Sequence, residues 1–276
     1  MELSDWQGAV GIKWADEWRR TDRSFTGLTE RLLAHARAEP ISHALDIGCG
    51  AGELSLALAR SHPDAQILGV DIGKALIAAA KSRASNLANV RFEIADAAVW
   101  TLEESAADLL LSRHGVMFFT DPVAAFANLR RNAAPSARLI FSCFRSVEEN
   151  PWAMGLDTLL PPGASSPPQS MVPGPFAFAD RDAVAAMLDA AGWTKIEFEA
   201  VDFAYIAGAG EDPVADATSY FLTIGPAARA AAEMNPLDRA GFLRRLDTLV
   251  SDHRDGDLVA MLAGAWIVSA RAPACD

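Results

Sequence analysis

The chain has 276 residues, 51% of them hydrophobic and 22% charged, which is the composition of a globular protein and of neither a disordered chain nor a membrane protein. With 36 Asp and Glu against 24 Lys and Arg the formal net charge is −12, which argues against a nucleic-acid partner, since phosphate binding needs a cationic face. Three cysteines, Cys49, Cys143 and Cys275, are too few and too scattered for a disulfide framework or a structural zinc site, so no metal site is expected.

The start, Met1-Glu2-Leu3-Ser4-Asp5-Trp6, lacks the basic patch and apolar stretch of a secretory signal. No run approaches the roughly 20 apolar residues of a membrane helix, so the expectation is a cytoplasmic protein with no membrane partner. An amphipathic helix is predicted over 8–38, with Trp14 and Trp18 four positions apart and so on one face. From residue 40 short apolar runs alternate with helical patterns. The spacing predicts a strand at Ala44-Leu45-Asp46-Ile47, a helix over 53–60, a strand over 66–70, a helix over 74–86, and strands over 90–94 and 107–112.

Asp121-Pro122 opens the next helix, Asp capping free amides and Pro fitting the first turn. A turn at Ala134-Pro135-Ser136 precedes a strand over 138–144. Strands apolar through their whole length and alternating with helices imply a parallel sheet covered on both faces. Over 146–178, Pro151, Pro161, Pro162, Pro167, Pro168, Pro173 and Pro175 with Gly155, Gly163 and Gly174 exclude long regular elements. Trp152, Met154, Met171, Phe176 and Phe178 are unusual in a solvated tether, so this stretch reads as a loop packed back on the sheet edge, over a ligand. Asp180 caps a further helix stopped at Gly192; a strand over 194–206, a helical insert over 211–255 and a closing strand over 265–270 follow.

The most informative stretch is Asp46-Ile47-Gly48-Cys49-Gly50-Ala51-Gly52-Glu53: a strand end, a loop with Gly at alternate positions, and a helix start. In an open parallel sheet this turn lies at the carboxyl edge, where ligands bind. Its glycines permit positive φ and close backbone approach, and its helix-start amides suit an anionic group. A dinucleotide fingerprint wants a small residue where Glu53 stands, and Asp46 puts a further negative charge before the loop. Asp71 ends the second strand and can accept from a ribose diol; Asp96 follows the third and can accept from an adenine amine. Three strand ends thus supply acceptors and none a phosphate clamp, so the implied ligand is adenosine-like and cationic.

These residues resemble the class I S-adenosylmethionine-dependent methyltransferases. The likeness rests on Leu45-Asp46-Ile47-Gly48-Cys49-Gly50-Ala51-Gly52, Gly69-Val70-Asp71-Ile72, Ala95-Asp96-Ala97 and the run from Asp108 to Phe119. It is similar above all to small-molecule enzymes related to the ubiquinone/menaquinone-biosynthesis methyltransferases. From these it departs at Ala134-Pro135-Ser136-Ala137, where a Pro-Gly-Gly turn is usual. The resemblance implies an α/β, Rossmann-like doubly wound, seven-stranded, mostly parallel sheet with its last strand antiparallel. It implies one domain over 1–276: an N-terminal helical lid (1–38), a cofactor-binding half (39–145), a proline-rich substrate loop (146–179) and a C-terminal half (180–276). Asp46, Gly48, Cys49, Gly50 and Gly52 would hold the methionine part of S-adenosyl-L-methionine, Asp71 the ribose and Ile72 the adenine face. Asp96 and Ala97 would read the adenine edge. Arg113 and His114 would lie by the methyl group, and Trp14, with the Arg20–Asp22 segment, resembles a lid helix over the cofactor.

The expected activity is methyl transfer to an O, N or C nucleophile of a small, partly apolar molecule, leaving S-adenosyl-L-homocysteine, with His114 as candidate general base. No Asn-Pro-Pro-Tyr or Asp-Pro-Pro-Tyr follows the fourth strand, and no carboxylate ends the fifth, so amino-group methylation of nucleobases and a magnesium site are not expected. An NAD(P)-dependent oxidoreductase and a non-catalytic S-adenosylmethionine-binding regulator are the alternatives. Oligomeric state has no signal in the sequence.

Overall fold

The computed structural model describes residues 3–102, 106–161 and 168–274; Cys275 and the Pro162, Gly163 and Pro167 positions of the proline-rich stretch lie outside the described residues. Four short helices come first, α1 (Leu3–Gln7), α2 (Ala9–Asp16), α3 (Trp18–Ser24) and α4 (Thr26–Ala36). The alternating region follows as β1 (His43–Ile47), α5 (Glu53–Ser61), β2 (Gln66–Asp71), α6 (Lys74–Arg83), β3 (Val90–Ile94), β4 (Ala107–Arg113), α7 (Pro122–Arg131) and β5 (Ala133–Phe144). The remainder comprises α8 (Pro151–Thr158), α9 (Arg181–Ala190), β6 (Thr194–Ala209), α10 (Pro213–Thr223), α11 (Pro226–Glu233), α12 (Pro236–Asp252), β7 (Arg254–Asp255) and β8 (Leu258–Arg271).

The sheet order is β3-β2-β1-β4-β5-β8-β6, with the two-residue β7 paired to β8. Neighbours from β3 to β5 are parallel, and β8 runs antiparallel between β5 and β6. The expected mostly parallel sheet with an antiparallel last strand is therefore present. Leu109, Leu110 and Leu111 of β4 are all fully buried, which is why that strand reads as an unbroken apolar run: helices cover both faces.

Several boundaries differ from the sequence expectation. The single helix expected over 8–38 is broken at Glu17 and Phe25 into α2, α3 and α4, and α1 precedes it. Tertiary contacts account for it: Arg20 and Arg23 both pair with Asp216 of α10, at 3.2 and 2.8 Å, and the Ser24 hydroxyl donates to the Ile206 carbonyl at 3.0 Å. These bonds pull α3 down against β6 and α10. The buried Arg138 guanidinium donates to the Ala36 carbonyl at 2.9 Å and stops α4. Helix α6 ends at Arg83 rather than 86. The turn over 134–136 is the irregular start of β5, with Ser136 at φ 60° and a register shift opposite Ala107. Strand β8 starts seven residues earlier than expected, because Leu258 already pairs with Ala209 of a longer β6.

The proline-rich segment returns to the sheet, as expected, and holds one short helix, α8, with Pro151 in its first turn. Asn150 fastens it: its amide donates to the Ser146 and Gly264 carbonyls at 2.9 and 3.1 Å, and its carbonyl accepts from Gly264 N–H and Trp152 Nε1 at 3.0 and 3.1 Å. Asn150 is fully buried, and every one of these bonds replaces water that is absent there.

Candidate functional site

Loops after β1, β2, β3 and β4 meet at the carboxyl edge of the sheet around a cavity of about 790 Å³, walled on the far side by α2, α3, α11 and the 173–175 bend. That is toward the upper end of the range for small-molecule sites, roughly 300–1,000 Å³. Asp46, Asp71 and Asp96 all line it. The buried Asp46 accepts at Oδ2 from both the N–H and the hydroxyl of Ser55, at 3.0 and 2.6 Å. Burial, opposed by these bonds and by the Arg113 guanidinium, raises its carboxyl pKa from 3.8 to about 6. Asp71 accepts from Gly50 N–H at Oδ2 (2.9 Å) and from Gly73 N–H at Oδ1 (2.7 Å), and burial raises its carboxyl against those donors. Asp96 accepts from Ala98 N–H at 3.0 Å.

The glycine loop follows β1 with positive φ at Gly48 (62°), Gly50 (54°) and Gly52 (87°). A Cβ on Gly48 would stand 2.9 Å from the Gly115 Cα, and one on Gly115 would stand 2.7 Å from the Ile47 carbonyl oxygen. The loops after β1 and β4 therefore touch backbone to backbone, tied by the Ser112 hydroxyl, which donates to that same oxygen at 2.7 Å. Within the loop, Cys49 N–H donates to Val70, Gly50 N–H to Asp71 and Gly52 N–H to Cys49. Those loop amides are spent inside the fold, and of the amides in the first turn of α5 that of Ser55 is taken by Asp46.

Above the loop lies a half-buried ion-pair knot. Asp22 of α3 meets Arg113 Nη2 at 2.9 Å and Arg83 Nη1 at 3.0 Å, while Arg83 Nη2 reaches Glu53 Oε2 at 2.5 Å. Arg83 also donates to the Ala51 carbonyl at 2.9 Å and stands 3.7 Å from the centre of the Trp18 ring. Burial raises Asp22 to about 6, outweighing Arg113; in Glu53 the bonds from Asp22 and Arg83 outweigh burial and hold the carboxyl low. The knot joins the N-terminal helices to the glycine loop, α6 and β4.

His114 follows β4 in the left-handed region, at φ 61°. Its ring centre lies 4.2 Å from that of Phe144 and 5.1 Å, edge-on, from that of Phe25, with Nδ1 3.3 Å from the Ser142 hydroxyl. Burial, against the hydrogen bond to the Ser142 backbone, lowers its pKa to about 3, so the imidazole is neutral at ordinary pH. Among the described residues no group of three or more His, Cys, Asp or Glu is placed to hold a metal ion, and no helix is long and apolar enough to cross a membrane.

Residues 39–164 match the family model described as "Methyltransferase domain". The trans-aconitate 2-methyltransferase of Methylobacterium radiotolerans is 31% identical over 137 residues, covering 50% of this chain and 48% of that protein. The chain thus spans about half the length of the curated relatives it matches. Residues 39–164 are a methyltransferase domain. Solved structures agree on the fold: the Haemonchus contortus phosphoethanolamine N-methyltransferase 2 gives a TM-score of 0.58 at 15% identity, over 98% of this chain and 59% of that one. The [4+2]-cyclase SpnF gives 0.55 at 18%, over 90% and 80%.

Gly48, Cys49, Gly50, Ile72, Ala97, Arg113 and His114 of this domain line the cavity with the three aspartates, and Trp14 of α2 joins them. Gly52 does not. A Cβ there would stand 2.8 Å from the Phe92 ring, so Gly52 serves the packing of α5 on β3 instead. Arg113 is already engaged, by Asp22 and by the Thr29 hydroxyl at 2.8 Å, rather than free for an acceptor carboxylate. Burial keeps the His114 imidazole neutral, the form in which it can take up a proton or a hydrogen bond. Trp14 and Trp18 sit on separate helices, yet both reach the cavity, joined by Trp6, which packs on Trp14 and Phe118 at 5.6 and 5.2 Å. Cys49 is buried, and burial with the nearby Asp46 and Asp71 charges holds its thiol protonated. Sequence reading missed Trp6 and Arg83. Arg83 looks there like any cation in a last helical turn, and nothing in the sequence marks it as the partner of Asp22.

Proposed function

We infer that the chain binds S-adenosyl-L-methionine in this cavity and transfers its methyl group to a small, partly apolar molecule. The observation that carries the reading is the single cavity lined together by Asp46, Asp71, Asp96 and the glycine loop. The residues fit the group: buried carboxylates with raised pKa gain by meeting a cation, and nothing in the loop replaces the phosphate clamp a dinucleotide needs. Asp46, Gly48, Cys49 and Gly50 would hold the methionine part, Asp71 the ribose, Ile72 the adenine face, and Asp96 and Ala97 the adenine edge. Trp14 would cover it from α2. When bound, S-adenosylmethionine supplies an electrophilic methyl on a positive sulfur, with S-adenosyl-L-homocysteine left after transfer.

The protein's part is alignment and exclusion of water. The Gly48–Gly115 contact sets the loop after β1 against the loop after β4, so that His114 and Arg113 would stand beside the methionine part. Trp152 and Leu156 of α8 and the 173–175 bend close the acceptor side. The test is a thermal melt of the full chain with S-adenosylhomocysteine, S-adenosylmethionine or NADH, followed by a search for S-adenosylhomocysteine formation across an acceptor panel. Protection by the first two and not by NADH is expected; protection by NADH alone overturns the reading.

A further inference from the structure

Arg83 does not line the cavity, yet it touches four residues that do. Its Nη1 stands 3.0 Å from Asp22 Oδ2 and donates to the Ala51 carbonyl at 2.9 Å, while its Nη2 meets Glu53 Oε2 at 2.5 Å. Its guanidinium carbon lies 3.7 Å from the centre of the Trp18 ring. Trp18 and Asp22 belong to α3, Ala51 to the glycine loop and Glu53 to the first turn of α5. One planar group therefore spans the seam between the N-terminal helices and the loop after β1.

The helix that carries Arg83 serves the cavity along its length. Gly73, just before α6, donates its N–H to Asp71; Leu76 lines the cavity; α2 packs along the helix; Arg83 stands in the last turn. Asp22 and Glu53 are two acids close enough for each to act on the other's ionisation. The cations set against them are Arg83 from α6 and Arg113 from β4, so the seam is balanced. Removing Arg83 takes from Glu53 its ion pair and sets it, still charged, against Asp22. Lysine is no substitute, because a single ammonium cannot face two carboxylates and a carbonyl while lying flat on an indole. The other side of α3 is held independently: Arg23 Nη2 lies 2.8 Å from Asp216 and donates to the Ala207 carbonyl at 2.9 Å. Loss of Arg83 thus loosens the cavity side of α3 and leaves its attachment to β6 and α10.

We propose that Arg83 is a positioning residue for S-adenosylmethionine: acting through Asp22, Trp18, Ala51 and Glu53, it seats α3 on the glycine loop, and cofactor binding depends on that seat. The inference rests on the cofactor reading of the cavity and adds to it a residue outside the cavity wall.

The experiment titrates the full chain calorimetrically with S-adenosylhomocysteine, which lacks the sulfonium charge and so responds to seating more than to net charge. The parent is compared with Arg83→Lys, Arg83→Met, Glu53→Gln and the double variant Arg83→Met/Glu53→Gln. Arg83→Met weakens binding about tenfold or more, the size of one hydrogen bond to a charged group, and Arg83→Lys about threefold or more. Adding Glu53→Gln to Arg83→Met recovers about threefold, because the unpaired anion is gone. Without ligand, trypsin cleaves Arg83→Met faster than the parent after Arg19, Arg20 and Arg23 of α3, and at the parent's rate after Arg131 and Arg181. A merely structural role would open all five sites together and allow no recovery from Glu53→Gln, and that result overturns the assignment. So does parent-like binding by Arg83→Met or, should that variant fail to fold, by Arg83→Lys. The parent is titrated first: absence of binding there removes the cofactor reading, whereas binding that Arg83→Met leaves unchanged removes this proposal alone.

Discussion

Replacing Asp46 by Asn separates a ligand-binding role from a structural one, because the two predict opposite changes in stability. Burial raises this carboxyl from 3.8 to about 6, so the fold holds the proton more tightly than the unfolded chain does. The native state is therefore favoured most below pH 4, loses stability as pH rises from about 4 to about 6, and stays lower above that. At ~1.4 kcal/mol per pKa unit the full penalty is about 3 kcal/mol, and about half of it develops between pH 5 and 7.5. Asn cannot ionise and escapes that penalty while keeping an acceptor for Ser55, a weaker one by about 0.5–1.5 kcal/mol. Ligand-free Asp46→Asn should then melt several degrees above the parent at pH 7.5, with the gap narrowing toward pH 5. Its affinity for S-adenosylmethionine should fall about 10- to 100-fold, the worth of a hydrogen bond to a charged group. Differential scanning calorimetry across pH 5–8 and isothermal titration at pH 7.5 measure both. A variant destabilised equally at every pH, with unchanged affinity, would show that Asp46 only tethers Ser55 and would refute the reasoning.

Cofactor affinity of the unaltered chain should itself weaken as pH drops through 6, since Asp46 and Asp22 both take up protons near there; calorimetry at pH 5 and 7.5 is expected to differ about tenfold or more. Gly115→Ala should cost about 1–3 kcal/mol in urea unfolding and weaken cofactor binding, because its Cβ meets the Ile47 oxygen at 2.7 Å and the Gly48 Cα at 3.0 Å, while φ −75° and ψ −34° suit Ala without strain. Asn150→Ala strips Gly264 and Trp152 of their buried partners, so a loss of about 2–4 kcal/mol is expected, with faster proteolysis after Arg145 at the start of the proline-rich segment. Cys143, whose thiol burial drives far up, should resist iodoacetamide at pH 8 until the chain is unfolded.

The central strands were legible because a two-sided core demands unbroken apolar runs, and Asp46, Asp71 and Asp96 stood out as charges ending such runs. The breaks in the N-terminal helix were not legible: at Glu17 and Phe25 no Pro or Gly intervenes, and the bend is imposed by Asp216, some 200 residues away in sequence. The start of β8 was hidden for a related reason. Leu258-Val259-Ala260-Met261-Leu262-Ala263 is as good a helix sequence as a strand one, and only its ladder with β6 decides. Gly52 was read as a ligand contact because alternate glycines look alike until Phe92 is seen beneath one of them.

Because β8 fills the gap between β5 and β6, neither of those strands has its partner on that side until β8 itself has left the ribosome. A nascent chain ending anywhere in α12 would expose the inner edges of a 12-residue and a 16-residue strand at once, open templates for pairing with another copy. Truncations that remove β8 should therefore yield inclusion bodies rather than a smaller folded domain.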